Sequence, residues 1–281
     1  MQDTLTLAVV QMTSTNTHAG NVETLRARCA EAAGQGAQMI AFPEVAGLMN
    51  RRIEGMRDEI TDEARDPFIL AAREEAARHG LWIHTGSTPV LRSGETRFLN
   101  HANLIDPTGR ITASYDKIHL FDHFPDGGTP IVESRRFAPG THSVLARTPW
   151  GPAGLSICYD LRFAHLYRSY AQSGATLLFV PSAFTRPTGA AHWHILLRAR
   201  AIENGAFVIA AAQTGEHDDG RQTYGHSLVV APSGEVLLDM GETPGLAIVT
   251  LTLAEVEAAR AAIPSLKNDR SYTPLPPRPL D

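Results

Sequence analysis

Two residue types are scarce enough in this 281-residue chain to be informative: cysteine, at Cys29 and Cys158, and lysine, at Lys117 and Lys267 against 23 arginines. Cys158 follows the apolar run Gly154-Leu155-Ser156-Ile157 and precedes a helical pattern beginning near Asp160. A thiol at a strand-to-helix turn faces the unpaired N–H groups of the helix start, which favour thiolate. That placing is a nucleophile elbow with sulfur in place of oxygen. Burial as a small hydrophobe is the plain alternative, and it suits Cys29, which lies mid-helix on an apolar face. Gly154-x-Ser156-x-Cys158 falls short of the Gly-x-Ser-x-Gly serine motif, because the second Gly is missing and Ser156 falls inside the strand.

Lys117 follows a strand in Tyr115-Asp116-Lys117-Ile118-His119. Where Arg serves almost everywhere else, a retained Lys points to a need for a compact ammonium on a flexible stem, with a surface lysine as the alternative. Glu44 ends the buried run Met39 to Phe42 at Pro43-Glu44, at the C-terminal edge of a strand, where α/β proteins tend to place sites. A solvated strand-end acid reads equally well there. The 12 histidines include His192-x-His194 and the pair His119 and His123, but no His-Glu-x-x-His or comparable set, so no metal is expected. Their spacing leaves a His partner for Cys158 open. Gly34-x-Gly36 is not continued into a dinucleotide fingerprint and no phosphate loop occurs, so no nucleotide cofactor is expected.

The elements that must position these residues read as two similar halves. Leu5 to Val10 and Met39 to Phe42 are short buried strands, with a helix between them carrying Val22, Leu25 and Cys29 and stopped at Gly34-Gln35-Gly36. Asp66-Pro67 starts a second helix and Gly80 closes it. Leu81 to Thr88, Phe98 to Asp106 and Arg110 to Tyr115 read as strands, the last two joined by a turn at Asp106-Pro107-Thr108-Gly109. The second half repeats the plan. Strands at Ala153 to Ile157 and Thr176 to Val180 flank a helix with Phe163, Leu166, Tyr167 and Tyr170 on one face. A helix from His192 to Asn204, with Ile195, Ala199 and Ile202 inward, leads to strands at Ala206 to Gln213, Tyr224 to Ala231, Glu235 to Asp239 and Gly245 to Thr250. Two such halves predict a four-layer α-β-β-α sandwich, with helices outside and sheet packed on sheet. Residues 1–262 read as one domain, and 263–281, with five prolines in 19 residues, as an extended tail that ends free or lies on a partner subunit.

Composition excludes several classes. A net charge of −5 without a basic run argues against nucleic acid or an anionic membrane surface. Two cysteines cannot build a disulfide framework, no apolar run approaches a membrane span, and Met1-Gln2-Asp3-Thr4 does not begin like a secretory signal; a cytoplasmic protein is expected.

Three segments together carry a resemblance: Phe42-Pro43-Glu44; Tyr115-x-Lys117-x-His119-Leu120-Phe121-Asp122; and Ile157-Cys158-Tyr159-Asp160-Leu161-Arg162-Phe163. In this order and spacing they resemble the three signatures of the nitrilase (carbon–nitrogen hydrolase) superfamily, over Leu5 to about Tyr272. Segments such as His192-Trp193, Arg198 to Asn204, Ala210 to Gly215 and Tyr224-Gly225-His226-Ser227 are most similar to the amidases of deaminated glutathione, with ω-amidases and carbamoyl-amide hydrolases as alternatives. His194 departs from the pattern, standing where these relatives often carry Glu.

The resemblance implies an amidase that releases ammonia through a cysteine thioester, without a cofactor and as a homodimer or a higher assembly. It makes Cys158 the nucleophile and Glu44 the general base. Lys117 and the Tyr159 backbone N–H stabilise the oxyanion, and Glu133 holds Lys117. Arg162 and Thr188 match positions lining the substrate pocket, Arg162 for a carboxylate. Lys117→Ala is expected to silence the chemistry with the fold intact.

Overall fold

The computed structural model describes residues 2–50, 53–124 and 130–273. The first half lays down β1 (Thr4–Gln11), α1 (His18–Gly34), β2 (Met39–Ala41), α2 (Ile53–Glu59), α3 (Pro67–His79), β3 (Trp82–His84), β4 (Thr88–Val90), β5 (Leu99–Ile105) and β6 (Ile111–Asp116). A short ribbon, β7 (Asp122–His123) with β8 (Ile131–Val132), leads to β9 (Val144–Thr148), β10 (Gly151–Leu155), α4 (Ala164–Gln172), β11 (Leu177–Phe179) and α5 (Arg186–Asn204). Then come β12 (Phe207–Ala210), a ribbon of β13 (Thr214–Glu216) and β14 (Gln222–Tyr224), β15 (Leu228–Val230), β16 (Val236–Asp239), β17 (Gly245–Thr252) and α6 (Ala254–Ala262).

The period of two along β1 explains the layers. Leu5, Leu7 and Val9 join a core cluster with Leu155, Leu177 and Phe179, whereas Ala8 and Val10 pack with Leu25 and Cys29 of α1 and Phe68 and Ala72 of α3. Successive strand residues face opposite sides, so β1 is buried on both faces. The first sheet runs β17-β1-β2-β3-β5-β4 with β6 beside β5, and the second runs β16-β15-β12-β11-β10-β9. The sheets meet face to face: the His84 ring stacks on Phe179 at 4.5 Å, and Trp82 meets Trp150 edge-on at 6.3 Å. This is the expected α-β-β-α sandwich. β17 crosses back to pair antiparallel with β1, from Thr4 opposite Thr252 to Gln11 opposite Gly245. The last strand of the chain therefore completes the first sheet and interlocks the halves.

Local signals were read well where capping chemistry decides. The Asp66 carboxylate accepts from the N–H groups of Phe68 and Ile69 at 3.0 and 2.9 Å, and Gly80 closes α3 in the left-handed region. Three expectations need correction. The expected strand from Leu81 to Thr88 is broken, because the chain turns at Gly86 so close to Pro43 that a Cβ would lie 1.9 Å from its carbonyl oxygen. The strand expected from Tyr224 to Ala231 is interrupted at Gly225 and His226, both at positive φ. α5 begins at Arg186 with Pro187 in its first turn, six residues before the expected His192, and turns a different face inward. Trp193, Leu197, Arg200, Ala201 and Asn204 are buried, whereas Ile195 and Ile202 are 69% and 52% exposed. The polar Arg200 is buried because its guanidinium donates to the Leu161 carbonyl at 2.7 and 3.0 Å, a contact that hydrophobic periodicity cannot register.

Candidate active site

Glu44, Cys158 and Ala183 follow the C-terminal ends of β2, β10 and β11; β2 runs parallel to β1 and β3, and β10 runs parallel to β11, and at such ends open α/β sheets expose their loops. Two of these loops are strained. Among the described residues the non-glycine residues at positive φ are Val45 at 51°, Cys158 at 50° and His226 at 54°. Such conformations cost about 1–3 kcal/mol each and persist where the surroundings enforce them. Val45 is enforced by its N–H donating to Ser87 Oγ at 2.8 Å, while Gln213 donates to the Glu44 carbonyl at 2.9 Å. Cys158 opens a single 3₁₀ turn, Cys158–Arg162, ahead of α4, and its own N–H donates to the Pro181 carbonyl at 2.9 Å.

Lys117, 2% exposed, lies between two buried carboxylates. Its Nζ donates to Glu44 Oε1 at 2.8 Å and to Glu133 Oε1 and Oε2 at 3.1 and 2.9 Å. The second Glu44 oxygen accepts from the Ala183 N–H at 2.9 Å, and that of Glu133 from the Phe121 N–H at 2.6 Å. Asn100 Nδ2 donates to Glu44 at 2.9 Å and to Glu133 at 3.4 Å. The Glu44 carboxylate also acts on the Cys158 thiol.

Electrostatics follows from this packing. Burial alone would lower the Lys117 ammonium, but the Glu133 and Glu44 carboxylates outweigh it and hold it well above the ordinary lysine range. Burial and the Glu44 charge push the Cys158 thiol well above its ordinary value, with Lys117 pulling the other way. Burial and the Glu44 charge thus oppose the thiolate that the helix start was expected to favour. The expectation for Lys117→Ala also changes. Removing the ammonium would leave two buried carboxylates facing one another, which threatens the fold as well as the chemistry.

Asp160, fully buried, ties this cluster together. One oxygen accepts from the Tyr115 hydroxyl at 2.7 Å and the Ile157 N–H at 2.8 Å; the other accepts from His119 N and Nδ1 at 3.0 and 2.7 Å. It thus joins the Lys117 segment from the first sheet to the Cys158 elbow from the second.

The cluster forms the base of a cavity of about 600 Å³. Glu44, Lys117, Glu133 and Cys158 all line it, as do Tyr159, Arg162 and Thr188, so the residues to which the resemblance gives roles converge here. The Arg162 guanidinium lies 3.3 Å from His192 Nδ1 and over the Tyr159 and Phe184 rings at 5.8 and 5.6 Å. Arg135, Arg136 and Arg221 add further positive charge to the lining. The histidine partner left open for Cys158 is replaced by Glu44, since His119 is engaged by Asp160 and stacked on Phe163 at 3.5 Å. Sequence reasoning missed Asn100, the Ala183 N–H and the bridging role of Asp160. Asp160 stands inside a recognised segment, but no local signal marks Asn100 in the middle of an all-buried strand.

Residues 6–261 match the family described as carbon–nitrogen hydrolase. A deaminated glutathione amidase of Synechocystis sp. is 38% identical over 269 residues, which cover 93% of this chain and 96% of that protein. The Caenorhabditis elegans NitFhit protein superposes with a TM-score of 0.89 at 35% identity, covering 97% of this chain and 67% of that one. A glutamate-to-glutamine mutant of the amidase from Nesterenkonia sp. AN1, which shows the result of Michael addition of acrylamide at its active-site cysteine, superposes at 0.77 with 29% identity over 92% of this chain and 98% of that one. With a cysteine, two glutamates and a lysine gathered at the base of one cavity, the chain belongs to the carbon–nitrogen hydrolase (nitrilase) family and is an amidase.

Proposed function

We propose that the chain hydrolyses a small linear amide bearing carboxylate groups, deaminated glutathione foremost, to an acid and ammonia. The observation that carries the mechanism is the Lys117 ammonium held between Glu44 and Glu133 in the cavity that Cys158 also lines. Glu44 takes the thiol proton as the sulfur attacks the amide carbon, and the tetrahedral oxyanion is met by Lys117 and the Tyr159 backbone N–H. The C–N bond breaks, ammonia leaves with the proton from Glu44, and a thioester remains on Cys158. Glu44 then takes a proton from water, which attacks the thioester; the acid departs and the thiol is restored. Glu133 keeps Lys117 aimed throughout. Arg162 with the other cavity arginines receives the carboxylates, and Thr188 lines the same wall.

The cavity volume lies within the range of small-molecule sites and admits deaminated glutathione as well as the smaller 2-oxoglutaramate of an ω-amidase; the relatives named deaminated glutathione amidase put the former first. A homodimer built on α4 and the chain's end belongs to this reading. Asp269 lies beside α4, accepting from Gln172 Nε2 at 2.8 Å, and residues 274–281 of the expected tail lie outside those described. A reducing, cytoplasmic setting also belongs to it, because the reaction requires a free thiol; no helix among the described residues is long and apolar enough to cross a membrane. Ammonia release from deaminated glutathione and from 2-oxoglutaramate, measured for wild type and Cys158→Ala, tests the proposal. Higher kcat/KM on the first substrate, lost in the variant, is expected. Preference for the second would overturn the substrate, and activity surviving in Cys158→Ala would overturn the mechanism.

A further inference from the structure

A second cluster of chemistry-bearing side chains lies outside the catalytic cavity, none of its members lining it. His194 on α5, His226 in the loop before β15 and Asp239 at the end of β16 place one ligand atom each within 4.8 Å of one another. His194 Nε2 is 3.0 Å from Asp239 Oδ2, and His226 Nδ1 is 2.9 and 3.2 Å from Asp239 Oδ1 and Oδ2. We propose that this trio binds a divalent transition-metal ion, zinc foremost, and that the ion clamps α5 to the β15–β16 edge of the second sheet.

The donor set suits such an ion. Two imidazoles and one carboxylate favour zinc and its first-row neighbours over calcium or magnesium, which call for oxygen. Bonds of about 2.0–2.1 Å in a tetrahedral site set ligand atoms about 3.3 Å apart. Both His–Asp spacings are already within a few tenths of an ångström of that value, so only the two imidazoles must draw together. His194, His226 and Asp239 side chains are 34%, 22% and 33% exposed, which leaves one side open for ion entry and for water as a fourth ligand. Each imidazole would meet the ion through the ring nitrogen that now faces Asp239 and carry its ring proton on the other nitrogen.

The surroundings hold the ligands in place, as metal sites require. Asp239 Oδ1 accepts from the Gly241 N–H at 2.9 Å. The His226 carbonyl accepts from Trp193 Nε1 at 2.7 Å, its N–H donates to the Gly241 carbonyl at 2.6 Å, and its ring stacks on Tyr224 at 4.5 Å. His226 is also the third strained non-glycine residue, at φ 54°, the other two being at the active site. A histidine forced into that conformation is aimed rather than merely accommodated. The sequence hid this site because its ligands come from three elements and match no local spacing; His194 drew notice beside His192 and as a departure from similar chains, and His226 only within a segment of resemblance.

The test uses full-length, tag-free protein carrying Cys158→Ser, so that the catalytic thiol cannot take the ion, stripped with chelator and titrated with Zn²⁺ by calorimetry and with Co²⁺ by visible absorption. The proposal expects one ion per chain, ligand-field bands of a low-coordinate Co²⁺ site, and a Tm raised by roughly 5 °C at hundredfold excess over Kd. His194→Gln, which can still donate to Asp239, should weaken binding by about 100-fold or more, since loss of an outer-shell partner alone costs about 10–100-fold. Asp239→Asn is the second variant, should the first fail to fold by circular dichroism. Absence of binding, or binding unchanged in a folded variant, overturns the site and leaves the trio a hydrogen-bonded clamp.

Discussion

Asp160→Asn tests whether one buried carboxylate couples the two halves of the active site. All four of its partners donate: two backbone N–H groups, from Ile157 and His119, with the Tyr115 hydroxyl and His119 Nδ1. An asparagine offers one oxygen, and its NH₂ group must take the place of the other. Turned toward Ile157 it faces Tyr115, whose hydroxyl can rotate to accept, but also an N–H that cannot. Turned toward His119 it meets a ring that can change tautomer and again an N–H that cannot. Either way one backbone N–H loses its partner, costing about 1–3 kcal/mol, and the surviving contacts lose their assistance from charge, about 1 kcal/mol more. Urea unfolding should therefore show Asp160→Asn destabilised by about 2–4 kcal/mol. Because Asp160 does not line the cavity, ammonia release should show kcat lowered about 10–100-fold, from misplacement of Lys117 relative to Cys158, with KM little changed. A variant within 1 kcal/mol of wild type with full kcat would refute the reasoning.

Further outcomes follow from the same geometry. Lys117→Met should lose at least about 10²–10³ in kcat and about 3–5 kcal/mol of stability, and adding Glu133→Gln should restore stability but not activity; recovery of activity would contradict the assigned roles. His101 lies 2.6 Å from both Asp116 and Glu63; burial lowers it, but the two carboxylates outweigh burial and hold it at about 9, above its unfolded value near 6.5. Its contribution, at most about 3 kcal/mol, is thus fully present below pH about 6.5 and lost as pH rises through about 9. Hydrogen bonding to His101 holds Glu63 down at about 2, and that contribution is lost in the opposite direction, as pH falls toward about 2. Urea midpoints from pH 6 to 10 should fall for wild type and stay flatter for His101→Gln; parallel curves would argue against the pairing. Iodoacetamide should alkylate folded protein once, at Cys158 in the cavity, and spare Cys29, which is wholly buried with its thiol pushed up by burial and Glu75; equal modification of the two by intact mass would contradict this.

The parts of the molecule legible in the sequence are those set by short-range rules. The apolar run Leu5 to Val10, the Asp66-Pro67 cap and the Asp106 to Gly109 turn each fix their conformation within a few residues. The candidate site residues were legible for a different reason, since scarcity singled out Cys158 and Lys117 and the three segments carried Glu44 with them. What stayed hidden depends on distant partners. The inward face of α5 is set by Arg200 reaching Leu161, and the pairing of β17 with β1 spans almost the whole chain. The charge around Cys158 is likewise set from afar, because Glu44 and Lys117 reach it from the first sheet.

The central claim is that Cys158 carries the acyl group between two half-reactions. Rapid acid quench of wild-type enzyme mixed with deaminated glutathione, followed by intact mass and peptide mapping, tests it directly. The account predicts a transient gain equal to the substrate less ammonia, located on the peptide that contains Cys158 and absent from Cys158→Ala. Turnover with no adduct at any quench time, together with activity in Cys158→Ala, would contradict it.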